Sequence, residues 1–488
     1  MIIFDYQNPQ NNFQDTSAQV GRMVGFDDIP KKYLREKKAL LPNLSELEVV
    51  RHYTKISQKN FSIDTHFYPL GSCTMKYNPK VGNSLAMLEN FICRHPLSPD
   101  ETGQGLLSCL FELQNILSKI AGMSSTSLAP MAGAQAEFAG IAMIRAFHLS
   151  KGDTTRDTII IPAAAHGTNP ATAAICGYKI IEIPCLANGN IDLAKLQEVC
   201  NQKIAGLMLT NPSTLGVFES NILEVSRLVH DCGGLLYYDG ANLNAILGMV
   251  KPGDMGFDVM HMNLHKTFST PHGGGGPGVG TLSCVSQLVP FLPIPLVIEK
   301  EENNLPIYQL TTRDDCPQSI GRLSAFSGNI GILLRAYVYL KMLGGNNLQK
   351  IAERATLNAN YLMAKMQTAG FECAYPNRRA SHEFIVTLKN IKQSTGVGAM
   401  DFAKRLLDKG FHAPTTYFPQ IISECLLIEP TETETKQSLD NFVLACIEIL
   451  KEAKTNPQLV KTAPHNLTVS RVDEVKAVKE IDIKYQFK

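Results

Sequence analysis

Apolar positions change their period along the chain. Leu106, Leu110, Leu113, Leu117 and Ile120 recur at the spacing of one helix face. A second helix is predicted over 134–149, stopped at Lys151-Gly152. Short apolar runs then alternate with helical stretches. Strands are predicted at 158–162, 178–184, 204–209, 235–239 and 258–263, with helices at 169–176, 192–201 and 219–232. Apolar runs separated by short helices predict βαβ units around a buried, largely parallel sheet. Past Gly280 the alternation breaks at a proline-rich crossing, 291–295. Long helices follow at 329–343 and 348–368. A smaller α/β unit comes after 371, with a strand at 382–388 and helices at 400–409 and 435–451.

Residues 1 to about 100 read differently. Asn8-Pro9, Pro42-Asn43, Pro69-Leu70-Gly71 and Asn78-Pro79 interrupt charged helical pieces at 31–38 and 45–54. Such a segment cannot bury a core of its own and is expected to wrap over another surface. The expected layout is an extended N-terminal arm (1–104), a large, mostly parallel α/β domain (105–345) and a small C-terminal α/β domain (346–488).

Charge narrows the function classes. The 488 residues hold 46 Lys plus Arg against 45 Asp plus Glu, so no basic excess supports nucleic-acid binding. No apolar run approaches the length of a membrane span. The start, Met1-Ile2-Ile3-Phe4-Asp5-Tyr6, has no basic region before an apolar one, so no signal peptide is expected. The 12 cysteines form no CxxC pair. They read as thiols of a reducing cytosol, and no metal site is expected.

The densest chemical signal is Asn263-Leu264-His265-Lys266-Thr267-Phe268, followed by Pro271-His272-Gly273-Gly274-Gly275-Gly276-Pro277-Gly278. A lysine just past a buried strand is partly shielded from water. Shielding favours the neutral amine, a nucleophile able to form a Schiff base. The glycines let backbone approach a ligand. A surface lysine beside a flexible loop is the plainer alternative; a phosphate loop is excluded because GxxxxGK[ST] is absent.

Upstream, the strand over 235–239 ends in Asp239-Gly240-Ala241-Asn242. An acid at the carboxyl end of a parallel strand faces the ligand crevice, unless it only caps the next helix. With Lys266, Asp239 suggests a carboxylate facing a pyridinium nitrogen, the pairing that lets pyridoxal phosphate accept electrons. The helix starting at Gly133-Ala134 offers free amides to a phosphate. His166, after the strand at 158–162, is a candidate flat partner for the ring. Thr210 and Asn211, at the end of another strand, can reach its phenolic oxygen. Each reads singly as an ordinary loop, cap or helix start. Together they lie in order along one crevice.

The chain closely resembles the second subunit of the two-subunit bacterial glycine decarboxylase (P-protein) of the glycine cleavage system. The resemblance runs through Pro69-Leu70-Gly71-Ser72-Cys73-Thr74-Met75-Lys76, Ala165-His166-Gly167-Thr168-Asn169-Pro170, Asp239-Gly240-Ala241-Asn242, Asn263 to Phe268 and Glu429-Pro430-Thr431-Glu432-Thr433-Glu434. It implies a fold-type-I pyridoxal phosphate enzyme. Lys266 then carries the cofactor as a Schiff base, Asp239 pairs with the ring nitrogen, and His166 lies over the ring. Gly133 and Ala134 hold the phosphate, Ala241 borders the cofactor, and Lys266 or His265 moves protons.

The implied reaction decarboxylates glycine. It passes the aminomethyl group to the lipoyl disulfide of H-protein, one sulfur taking the carbon and the other becoming a thiol. The expected assembly is α2β2 with a first subunit, in the cytoplasm. A stand-alone pyridoxal phosphate transaminase or amino-acid decarboxylase is the alternative. Arg313, Arg322 and Arg471 are candidates for the glycine carboxylate. The helix start reads Ala132-Gly133-Ala134-Gln135-Ala136-Glu137 where the family usually has Ala-Gly-Ala-His-Gly-Glu, and an altered cofactor affinity is expected there.

Overall fold

A computed structural model describes residues 2–6, 29–34, 36, 42, 44–271 and 278–483. Residues 272–277, most of the glycine-rich segment after Lys266, lie outside the described residues. The chain divides into two compact units, one of 1–61 with 466–488 and the other Ser62–His465.

In the first unit the main helix is Glu46–Ser57, opened by a capping box. Ser45 Oγ accepts from the Glu48 amide, and the Glu48 carboxylate accepts from the Ser45 amide. Tyr6 meets His52 edge-on, ring centres 5.2 Å apart.

The second unit holds the larger sheet, made of β1 (Ser125–Ser127), β2 (Thr158–Pro162), β3 (Lys179–Ile183), β4 (Ile204–Thr210), β5 (Leu235–Gly240), β6 (Val259–Asn263) and β7 (Gly280–Cys284). Their order is β1-β7-β6-β5-β4-β2-β3. The strands from β6 to β3 run parallel, while β7 and β1 form an antiparallel edge. Side chains alternate between two apolar layers: Leu236 and Tyr238 of β5 enter one core, Leu235 and Tyr237 the other. That double burial explains the uninterrupted apolar runs. The Gly133–Ser150 helix packs on β6 and β7.

After the hairpin of β8 (Val297–Glu302) and β9 (Leu305–Leu310), helices Ile330–Leu343 and Leu348–Thr368 lead to the small sheet. That sheet comprises β10 (Glu372–Cys373), β11 (Phe384–Thr387), β12 (Thr415–Thr416) and β13 (Cys425–Ile428), all antiparallel. It rests on a separate core that includes Phe402 and Phe442.

The expected arm divides at Phe61, and residues 62–104 belong to the second unit. Their anchors are specific. Leu70 bridges Ile428, the Lys80–Ala86 helix packs on Ile330–Leu343, and the buried Lys76 ammonium pairs with Glu432 at 2.8 Å. Among the described residues, no helix is long and apolar enough to cross a membrane.

Candidate active site

Strand register builds the site. Thr210 of β4 lies beside Asp239 of β5, and Asp239 lies beside His261 of β6. Three polar side chains therefore leave the carboxyl edge of the sheet next to one another. Beyond β6 the short helix Leu264–Thr267 turns back and presents His265 and Lys266 to the same space. The start of the Gly133–Ser150 helix closes one end. The result is a cavity of about 450 Å³ whose wall includes Gly133, Ala134, His166, Thr210, Asp239, Ala241, His265 and Lys266. That volume suits a small cofactor.

Asp239 is the electrostatic centre. It is 3% exposed. Its Oδ1 accepts from the Ala241 amide at 3.0 Å, and its Oδ2 accepts from Asn169 Nδ2 at 3.1 Å. His261 Nε2 stands 3.3 Å from Oδ1. Burial pushes the carboxyl up, but His261, the Ala241 amide, Lys266 and Asn169 outweigh it and hold the pKa below the usual range. Burial also lowers the His261 pKa, against the pull of Asp239, so this imidazole is neutral at pH 7. The Tyr237 hydroxyl, kept protonated by burial, donates to His261 Nδ1 at 2.6 Å. The remaining ring proton then sits on Nε2, facing Asp239.

Lys266 is half-buried and donates from Nζ to the Ser72 carbonyl at 2.8 Å. His265 Nδ1 accepts from the Val279 amide at 3.3 Å. His166, at the open side, accepts on Nδ1 from the Thr168 amide and meets the edge of Phe418 at 5.4 Å.

The end of the cavity at the helix start is built from backbone. Gly133 stands at the helix start because a Cβ there would fall 2.1 Å from Asn263 Nδ2. The amides of Gly133, Ala134 and Gln135 precede the first intrahelical donor, the Ala136 amide, which bonds Ala132 O, and remain available to a ligand. The Gln135 side chain is tied into the protein: its Oε1 accepts from the Met131 amide at 2.6 Å and its Nε2 donates to Leu323 O at 3.0 Å. It braces the turn that aims these amides.

Asn211 is set apart from the other expected residues. It is fully buried, its Oδ1 receives the Glu219 amide, and it does not line the cavity. Nor do Arg313 and Arg322. Arg313 bonds Ser319 O, and Arg471 belongs to the other unit. No arginine lines this wall among the described residues.

Several wall residues escape sequence reasoning. Glu137, one helical turn beyond Gly133, shares Asn169 Nδ2 with Asp239. Burial first, then Asp239, raises its pKa to about 7. Its buried place on an apolar helix was the available signal. His261 sits likewise between apolar neighbours, Met260 and Met262, in its strand. Ser72 and Cys73 arrive from nearly 200 positions upstream, which no local pattern reveals.

The donor set fits pyridoxal phosphate. Thr210 Oγ1 and Asn263 Oδ1 are buried on the wall without partners. Free helix amides suit an anionic group, and an ionised, buried carboxylate suits a cationic ring nitrogen.

Comparison with known proteins agrees. The family described as "Glycine dehydrogenase, C-terminal domain" matches residues 351–469, and "Aminotransferase class-V" matches residues 139–404. A relative from Nitrosospira multiformis, named "Probable glycine dehydrogenase (decarboxylating) subunit 2", is 62% identical over 100% of this chain and 96% of its own length. One of the same name from Coxiella burnetii is 57% identical over 99% of this chain and 98% of its own. In fold, the chain is similar to an inhibitor-bound glycine decarboxylase (P-protein) of the glycine cleavage system. The TM-score is 0.73 at 22% identity, over 87% of this chain and 94% of that one. A Lactobacillus brevis glutamate decarboxylase gives 0.64 at 14% identity, over 87% and 97%. With relatives this similar over their full lengths, the chain belongs to the glycine dehydrogenase (decarboxylating) subunit 2 family.

Proposed function

We propose that this chain decarboxylates glycine at the cavity around Lys266 and passes the remaining aminomethyl group to a lipoyl disulfide of H-protein. The observation that carries this reading is the convergence of Lys266, Asp239 and the Gly133 helix start on one cavity. The chemistry pyridoxal phosphate supplies there is an electron sink for the pair left when CO2 departs.

The chain's residues make that chemistry possible. Amides of Gly133 and Ala134, with the partial positive charge of their helix, hold the phosphate. Asp239 keeps a proton on the ring nitrogen, and the neutral His261 keeps Asp239 oriented without taking its charge. Thr210 gives its hydroxyl to the phenolic oxygen. His166 would offer its flat ring to the cofactor, and Ala241, also on the wall, would border it. Lys266 would be the amine that holds the cofactor, and Lys266 or His265 would carry protons at this wall of the cavity. The aminomethyl carbon bonds one lipoyl sulfur, and the other leaves as a thiolate that takes up a proton. The disulfide is thereby reduced, and no nicotinamide is required.

A first-subunit partner in an α2β2 assembly, located in the cytoplasm, completes the proposal. The test is exchange of the glycine carboxyl carbon with labelled bicarbonate. Exchange should require lipoylated H-protein and rise sharply with a co-expressed first subunit. Exchange independent of H-protein, or transamination of glycine by this chain alone, would refute it.

A further inference from the structure

The strap 70–77 crosses the cavity beside Lys266 and is held from beneath by buried acids. At its start, Gly71 lies so close to β13 that a Cβ would come within 2.7 Å of Leu427 O. The Gly71 carbonyl accepts from Thr415 Oγ1 at 2.7 Å. At its far end, Lys76 Nζ donates to Asn244 Oδ1 and Glu432 Oε1, each at 2.8 Å. Between these anchors Ser72 takes φ of 63°, a left-handed conformation disfavoured for a non-glycine residue. Such strain persists only where neighbours impose it.

The neighbour here is Glu383, at the β11 edge and fully buried. Its Oε2 accepts from the Ser72 amide at 2.7 Å, and its Oε1 accepts from Asn242 Nδ2 at 3.2 Å. With the amide pinned and φ turned positive, the Ser72 carbonyl receives Lys266 Nζ at 2.8 Å. No carboxylate bonds Lys266 among the described residues; its one hydrogen-bonded anchor is this carbonyl.

We infer that Glu383 is a positioning residue that holds Ser72 in its left-handed conformation, so that the Ser72 carbonyl docks the Lys266 amine whenever that amine is free of cofactor. The inference deepens the proposed function, because glycine must displace Lys266 and the amine must later return. A dock keeps the released amine at hand and stops it from drifting toward Asp239, where it would compete with the ring nitrogen. Glu429 and His382 lie behind Glu383, ligand atoms of the three within 4.8 Å of one another. Burial raises the Glu383 pKa to about 7, and a dock built on hydrogen bonds keeps working when Glu383 is protonated, since one oxygen still accepts.

The test labels the full-length apoprotein with acetic anhydride at pH 8 and reads the Lys266 peptide by mass spectrometry, with exposed Lys179 as internal standard. Glu383→Ala should label Lys266 roughly tenfold faster than the parent, the effect of losing the one hydrogen bond that pins the Ser72 amide. Glu383→Gln, which keeps an oxygen for the Ser72 amide but carries no charge, should stay within about twofold of the parent. Equal acceleration in both would show a charge effect and overturn the inference, as would no acceleration in either. Should Glu383→Ala not fold, the Ser72 pair decides. Ser72→Gly, at ease with positive φ, should behave as the parent; Ser72→Val, which resists it, should behave as expected for Glu383→Ala. Identical labelling of the two overturns the inference. Protection of Lys266 by added pyridoxal phosphate tests the proposed function separately. Its failure would leave the dock standing and remove the cofactor assignment.

Discussion

Replacing Glu137 with Gln should make the protein more stable at pH 8 while leaving it nearly unchanged at pH 5. The carboxyl is 3% exposed and faces Asp239 through their shared Asn169. Burial, then repulsion from Asp239, raises its pKa from 4.5 to about 7. An acid with a raised folded-state pKa keeps its full contribution below the unfolded value of 4.5 and loses it as the pH climbs through about 7. A gap of this width corresponds to roughly 3 kcal/mol once ionisation is complete, at about 1.4 kcal/mol per unit. Gln retains an oxygen for Asn169 Nδ2 and never ionises. Spread over the Ser62–His465 unit, whose unfolding entropy is roughly 0.9 kcal/mol/K, the gain amounts to about 3 °C. The assay is thermal unfolding of parent and variant apoprotein from pH 5 to 8.5. Glu383 and Glu429, also raised by burial, slope the same way in both proteins and cancel in the difference. A difference in Tm that is flat with pH, or a variant less stable at pH 8, would refute the reasoning.

Lys266→Ala should abolish the visible absorbance of bound pyridoxal phosphate and its trapping by borohydride, with the thermal midpoint of the apoprotein near that of the parent. Gly133→Ala brings a Cβ within 2.1 Å of Asn263 Nδ2, and overpacking of this kind costs about 1–3 kcal/mol. Cofactor affinity by spectroscopic titration should fall at least about tenfold. Lys76→Met leaves Glu432 buried without its partner and should destabilise by roughly 3–5 kcal/mol, read as the denaturation midpoint; a second change, Glu432→Leu, should restore much of the loss. Cys73 lines the cavity, and burial, only partly offset by Lys266, raises its thiol pKa. Its alkylation by iodoacetamide should be slow at pH 7, quicken above pH 9 and be blocked by bound cofactor.

What was legible in the sequence is what the chain encodes locally. Strand ends are local events: an apolar run stops, a polar residue follows, and a parallel sheet brings such ends to one edge. Thr210, Asp239 and Lys266 could therefore be read as neighbours of one crevice, and the register of β4, β5 and β6 aligns the first two directly. A glycine at a helix start is local too. The antiparallel edge of β7 with β1 and the pairing of β11 with β13 join segments remote in the chain and carry no periodic signature of their partners. Asn211 shows the limit from the other side. A polar residue at a strand end need not face the crevice, and this one turns inward because the Glu219 amide claims its side-chain oxygen.

The least legible part of the site is its support. Lys266 and Asp239 could be picked out singly, but what fixes them comes from elsewhere: Ser72 from 194 positions upstream of Lys266, Asn169 from 70 positions before Asp239, and Glu383 from 311 positions after Ser72. Each of these contributes a hydrogen bond rather than a reacting group, so no chemical motif marks it. The burial that makes the carboxylates at this site costly is also what makes them specific. A carboxyl with no water to turn to is held by the few donors it meets, and those donors set where the Lys266 amine and the Asp239 carboxylate can stand. The strap 70–77 illustrates the point. Irregular in sequence and set between Pro69 and Pro79, it reads as part of an arm unable to form a core, yet buried acids pin it at both ends and one of its carbonyls holds Lys266. Irregular backbone carries chemistry here because the regular elements around it leave it no alternative conformation.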